Sequence, residues 1–148
     1  MSAIRYYLDT CIWLNLWKRE ENLITGVAYW KIAKEFIEKV IFSENEEIVY
    51  SGFFLKELKF KLKDEDLFRE KLAYLKGEKR FWFVKAVEGD YDFARKFKFL
   101  SKFELSFYDC IHIALCKRLK LILVTRDRAL IRFAQKYIQA NTPENLLP

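Results

Sequence analysis

The five residues LILVT, at positions 121–125, decide how this chain folds. An apolar run so short, with helical patterns on both sides, has the composition of a strand buried on both faces of a parallel sheet. Residues 106–119 read as the helix before it and residues 128–137 as the helix after it, with Ile138 placed to begin a last edge strand. The same alternation repeats toward the N-terminus. Residues 81–87 (FWFVKAV) are rich in aromatic and β-branched side chains and read as a strand, followed by a turn at Gly89 and Asp90 and a helix through Phe93, Ala94, Phe97 and Leu100. Residues 64–76 open on acids and close on a cation before Gly77, the charge order that a helix dipole favours. Residues 47–50 form a strand that leads into a helix over 53–62, and residues 26–42 carry the apolar stripe of an amphipathic helix. At the start, residues 4–8 are a strand and residues 10–17 a helix.

Strands separated by helices, repeated along the chain, predict an α/β protein whose mainly parallel sheet of four to five strands is covered on both faces. A length of 148 residues without linker, repeat or low-complexity stretch predicts a single domain over 1–148. Hydrophobic residues at 52% and aromatics at 18% exclude a disordered chain. The 27 Lys and Arg against 21 Asp and Glu give a net charge of +6, which permits a polyanionic partner. No apolar run reaches the roughly 18 residues of a membrane span. Asp9 interrupts any signal-peptide layout, and three cysteines, Cys11, Cys110 and Cys116, fit no disulfide framework, so a reducing, cytoplasmic setting is expected.

In parallel α/β sheets, binding sites lie beyond the carboxyl ends of the strands, so residues at strand-to-helix junctions carry the functional question. Asp9 follows the first strand, Glu57 lies in the helix after the second, Asp109 opens the helix at 106–119, and Asp127 follows LILVT. Each alone has a plain structural role. Asp109 fits a capping box with Ser106, Asp127 suits an N-cap, and most helix glutamates are solvated. Together they recur at one topological position. Two carboxylates about 4 Å apart repel by roughly 4 kcal/mol at an effective dielectric near 20, so a cluster implies a cation. Oxygen ligands select hard Mg²⁺ or Mn²⁺, which polarise phosphodiesters and activate water.

The segments YYLDTCIW, SGFFLKEL, LSFYDCIHIALC, LILVTRDRAL and NTPENLL, in this order, resemble the PIN-domain ribonucleases, most closely the VapC-type toxins of toxin-antitoxin pairs. The resemblance implies a three-layer α/β/α sandwich and a metal-dependent endoribonuclease that cuts single-stranded RNA and leaves 5′ phosphates. Asp9, Glu57, Asp109 and Asp127 would then be the catalytic acids, holding one or two Mg²⁺ or Mn²⁺ ions. Thr10, Ser51 and Thr125 would support them, and a homodimer and a cognate antitoxin protein would be its partners. Arg126 and Arg128, flanking Asp127, are candidates for RNA phosphate. The polar segment 18–25 before the second helix departs from compact members of the family.

Other readings are weaker. Cys110 and His112, two apart on a helix, project about 200° from each other and cannot share a zinc ion, while His112 and Cys116 lack further ligands, so His112 is expected to be a satisfied interior or interface residue. Trp13, Trp17, Trp30, Phe36, Phe53, Phe54 and Phe60 exceed what a small core readily hides and suggest an apolar surface for another chain. A haloacid-dehalogenase-like phosphatase would need a second acid where Cys11 stands. An RNA-processing nuclease outside the toxin branch, or a non-catalytic PIN-like binding module, completes the alternatives.

Overall fold

The structure, a computed structural model, describes residues 3–148; Met1 and Ser2, part of the predicted domain, lie outside the described residues. Five parallel strands form one sheet: β1 (Ile4–Leu8), β2 (Glu46–Ser51), β3 (Phe81–Val84), β4 (Ile122–Val124) and β5 (Ala140–Asn141), in the order β3-β2-β1-β4-β5. The helices are α1 (Thr10–Trp17), α2 (Tyr29–Ile41), α3 (Gly52–Leu62), α4 (Glu65–Gly77), α5 (Glu88–Leu100), α6 (Phe107–Leu119), α7 (Arg128–Ala134) and α8 (Pro143–Leu146). Helices lie on both sides of the sheet, which makes the three-layer sandwich.

The strand order has a consequence for the site. The chain leaves β1 toward β2 and β3, then crosses back past β1 to β4 and β5. Right-handed crossovers therefore send the early helices to one face and the later ones to the other, and the crevice opens between β1 and β4, where the direction reverses. Asp9 N–H donates to Val124 C=O at 2.9 Å across that point.

Several helices start on a side chain at this edge. Asp9 caps α1 and accepts from Thr10 N–H, Ser51 caps α3 and accepts from Phe54 N–H, and Asp127 caps α7 and accepts from Leu130 N–H. Ser106 caps α6 by accepting from Asp109 N–H at 3.1 Å. These caps satisfy amide donors that a helix leaves unpaired in its first turn. They also hold polar residues beyond strands whose own side chains, such as Tyr7, Leu8, Val49 and Val124, are buried.

Several expectations need correction. The third strand ends at Val84, because the backbone beyond it is taken by side chains: Arg118 donates to Lys85 C=O at 3.1 Å, and Asp90 accepts from Val87 N–H at 2.9 Å. Gly89 and Asp90 are not a turn but the first turn of α5. Asp90, 1% exposed, is paired with Arg118 at 2.9 Å and ties α5 to α6. The second helix begins at Tyr29 and the helix after LILVT ends at Ala134. The last strand forms at Ala140 rather than Ile138, where Thr125 N–H reaches Asn141 C=O at 3.1 Å. Of the aromatics expected on a surface, Trp13, Phe36 and Phe54 are core; Trp17, Trp30 and Phe53 are half-buried, and Phe60 is exposed. Among the described residues, no helix is long and apolar enough to cross a membrane.

Candidate functional site

Asp9 is 8% exposed and held on both oxygens. Its Oδ1 accepts from Thr10 N–H at 2.8 Å and its Oδ2 from the Thr125 hydroxyl at 2.8 Å. Thr125 also accepts from Asp127 N–H at 3.2 Å, so one hydroxyl links the ends of β1 and β4. Glu57, on α3, turns its Oε1 toward the Thr10 hydroxyl, which donates to it. Thr10, the residue after Asp9, thereby positions the second acid as well. These hydrogen bonds place Thr10 and Thr125 in contact with the acids they were expected to support, while Ser51 reaches the cleft through Tyr7, whose hydroxyl lies 2.6 Å from Ser51 Oγ.

The same Tyr7 hydroxyl lies 2.8 Å from His112 Nδ1, and His112 Nε2 stands 3.7 Å from Glu57 Oε1. Donor atoms of Asp9, Glu57 and His112 all lie within 4.8 Å of one another, a set able to share one ion. His112 is 0% exposed, yet its Nε2 has no hydrogen-bond partner. A buried polar atom left in that state costs about 1–3 kcal/mol. The expectation of a satisfied interior histidine is therefore half right: the ring is interior, but its outward nitrogen is unsatisfied and faces two carboxylates. Its partners come from β1 and α3, and the signal in the sequence was its position three after Asp109, which puts both on one helix face. The Cys110 and Cys116 thiols are buried and free; Cys11, half-buried at the cleft, is also free, and desolvation and the Asp9 charge push its thiol up to about 12.

Asp109 and Asp127 lie at this edge but outside the tight group. Asp127 is exposed and spends Oδ1 on its cap. Asp109 is half-buried; burial and then the Asp9 charge push its carboxyl up to about 6, opposed by His112 and Ser106 and reinforced by Asp127. For Glu57, burial acts upward, but the neighbouring His112 ring and the hydrogen bond from Thr10 outweigh it and hold the carboxyl below its ordinary value. The crowding of negative charge thus falls on Asp109. A carboxyl whose pKa is higher in the folded protein than in the unfolded chain binds more protons when folded, so its contribution to stability is lost as pH rises from about 4 through about 6. In EDTA, Asp109→Asn is expected to raise the melting temperature above pH 6 and to leave it nearly unchanged at pH 4; an equal shift at both would sink this account.

The two arginines beside Asp127 differ. Arg126 donates to both oxygens of Glu144 at 2.8 and 2.9 Å and to Asn15 at 3.0 Å, and it sits 3.9 Å over the Tyr29 ring, which clamps α8 to α1. Arg128 is exposed. Beside Asp109, Phe53 meets Tyr91, Phe107 and Tyr108 edge-on at 5.6, 6.3 and 5.9 Å between ring centroids, a half-buried aromatic shelf under Lys56.

A sequence model described as PIN domain matches residues 6–136. No curated protein is detectably similar in sequence. Among solved structures, the chain resembles VapBC2 from Rickettsia felis, determined bound to a DNA fragment from their promoter, at 16% identity and a TM-score of 0.69, covering 94% of this chain and 98% of that one. It also resembles VapBC-1 from nontypeable Haemophilus influenzae, at 19% identity and a TM-score of 0.67 over 95% and 99% of the two chains. A toxin-antitoxin complex from Klebsiella pneumoniae gives 17% identity and a TM-score of 0.66 over 93% and 97%. At such identities the likeness speaks for the fold.

Proposed function

The chain belongs to the PIN domain family, and from that premise we propose that it is a metal-dependent endoribonuclease acting on single-stranded RNA, the toxin of a toxin-antitoxin pair. One observation carries the reading: the carboxylates of Asp9, just past β1, and Glu57, on α3, remote in sequence, bring donor atoms within 4.8 Å of one another at the crevice where the strand order reverses. Two charges at that separation repel by about 3 kcal/mol at an effective dielectric near 20, and a divalent ion removes the repulsion. Mg²⁺ or Mn²⁺ supplies Lewis acidity at a phosphodiester and lowers the pKa of water.

The chain's own residues do the rest. Asp9 and Glu57 hold the ion, with Asp109 and Asp127 completing the acidic rim for substrate-bound water or a second ion. Thr125 and Thr10 fix the two carboxylates in place, so little reorganisation is left for the reaction. Without a cation in the cleft, burial and the Asp9 charge push the Asp109 carboxyl up to about 6, and a bound cation would draw it back toward the charged form. Arg128 meets a phosphate beside Asp127, whereas Arg126 is committed to Glu144. The aromatic shelf at Phe53 and Tyr108 gives unpaired bases a stacking surface, which favours single strands over duplexes.

The toxin assignment draws on the relatives in fold, several of which are toxin-antitoxin complexes. A groove of about 700 Å³ between α1, α2 and α4, with an apolar floor of Trp17, Trp30, Ile41 and Tyr74 and charged residues such as Arg19 and Glu70 in its lining, offers an amphipathic surface for an antitoxin segment. A homodimer in the cytoplasm is part of the same proposal.

The test is direct. A 5′-labelled unstructured RNA incubated with the protein and Mn²⁺ or Mg²⁺ is expected to be cut internally, with 5′ phosphates on the products. EDTA should stop cutting, and excess cation should restore it. Cleavage indifferent to EDTA, or an intact RNA at every cation concentration, would remove the proposal.

A further inference from the structure

We propose that His112 Nε2 is a direct ligand of the ion held by Asp9 and Glu57, making this a mixed carboxylate and imidazole centre that selects Mn²⁺ over Mg²⁺. The inference rests on the nuclease reading of the same cleft and adds the identity of its ion.

Three observations carry it. His112 is 0% exposed, and its Nε2 has no hydrogen-bond partner although the other ring nitrogen is anchored to Tyr7 at 2.8 Å. Next, the Nε2 to Glu57 Oε1 separation of 3.7 Å is too long for a hydrogen bond. Ligands about 2.0–2.2 Å from a shared ion stand roughly 3–3.5 Å from each other, so the separation suits two atoms converging on one cation better than a direct pair. Finally, the ring is held from behind by a buried chain of hydroxyls. Ser51, Tyr7 and His112 are each 0% exposed, with Tyr7 Oη 2.6 Å from Ser51 Oγ.

That chain governs the tautomer. A ligating nitrogen needs its lone pair, which requires the proton to sit on Nδ1 and to be donated onward. Tyr7 Oη can accept it while giving its own proton to Ser51 Oγ, 2.6 Å away, an orientation that both contacts allow. The opposite tautomer aims a buried N–H at Glu57 from beyond bonding distance and leaves it unbonded. A metal ligand of this kind, with its second nitrogen fixed by a hydrogen bond, is the arrangement that orients an imidazole and raises its basicity.

Nitrogen in the donor set discriminates between the two ions suited to phosphates. Mg²⁺ takes oxygen and keeps its waters, whereas Mn²⁺, equally at home with oxygen, belongs to the transition series, whose affinity for an imidazole nitrogen exceeds that of Mg²⁺. An all-carboxylate centre would have no such preference built into its protein ligands.

Mn²⁺ alone is the probe, on the full chain. Pulsed electron paramagnetic resonance of the bound ion is expected to show modulation from a directly coordinated nitrogen in the wild type. In His112→Gln the modulation should vanish, with Mn²⁺ binding weakened about tenfold or more and Mg²⁺ binding, read by competition, changed by less than about twofold. If the variant does not fold, the wild-type spectrum decides by itself. Bound Mn²⁺ without nitrogen modulation, the result a simple ion pair of His112 with Glu57 would give, overturns the His112 assignment and leaves the nuclease reading standing. Equal losses for both ions in a folded variant overturn the selectivity. Failure of Mn²⁺ to bind, together with uncut RNA, overturns both readings.

Discussion

Asp9→Asn is expected to lower RNA cleavage by roughly a thousandfold, the scale of removing one preorganised electrostatic group from an active site, while leaving the fold intact. The separation of the two effects follows from the double use of this side chain. As a cap, its Oδ1 accepts from Thr10 N–H at 2.8 Å, and asparagine caps helices as well as aspartate does. As part of the acid cluster, its charge is irreplaceable, since an amide neither attracts a divalent ion strongly nor balances it. Without cation, the substitution should even relieve the pressure on Asp109, whose carboxyl is pushed up in part by the Asp9 charge. Cleavage assays at saturating Mn²⁺, paired with a melting curve in EDTA, check both halves. A variant that melts like the wild type, or slightly above it, and still cuts at more than a tenth of the wild-type rate would show that Asp9 is only a cap.

The largest effect on stability is expected at Trp13. Its indole is 0% exposed, stacked on Trp17 at 5.2 Å and met edge-on by Phe81 at 5.5 Å, with Phe54 at 6.1 Å. These contacts tie α1 to α3 and to the edge strand β3. Trp13→Ala should cost about 3–5 kcal/mol, a large share of the roughly 5–15 kcal/mol that stabilises a domain. Trp13→Phe should cost much less, because Nε1 has no hydrogen-bond partner and its loss removes an unsatisfied buried donor. Urea denaturation of the three proteins measures the difference. Comparable losses for Ala and Phe would mean that the indole N–H is bonded after all. Since Trp13 sits on the helix that Asp9 caps, the Ala variant should also lose cleavage below its melting temperature.

The fold was legible where one local signal and the tertiary context agree. LILV, at 121–124, is apolar throughout because β4 pairs with strands on both sides, and Asp9 stood out because a charge follows an apolar strand directly. The boundaries were legible only where a side chain marks them, as Gly77 does for α4 and Ser106 for α6. The third strand was overextended because nothing in FWFVKAV announces that Arg118, far along the chain, takes Lys85 C=O. Counting aromatics was right only in part: Trp13, Phe36 and Phe54 are core residues, whereas Trp17 and Trp30 line the groove between α1, α2 and α4. In the site, junction position singled out four acids, of which Asp9 and Glu57 come together while Asp109 and Asp127 stand outside the tight group, but His112 was weighed against the cysteines of its own helix. Its neighbours, Tyr7, Asp9 and Glu57, come from other elements, and one sequence carries no record of which helix faces which strand end.

The hydrogen bond from Thr125 to Asp9 spans 116 positions of sequence, and β1 is flanked by β2 on one side and β4 on the other. During synthesis the ribosome releases Asp9 first and must then deliver most of the remaining polypeptide before β4 can dock beside it. Until that moment the nascent chain has three of the five strands, and Asp9 has Glu57 but not Thr125 beside it. The crossover therefore acts as a timer in translation: the cluster closes only when the later half of the chain has emerged and long-range pairing, the slow step in folds of this topology, is complete.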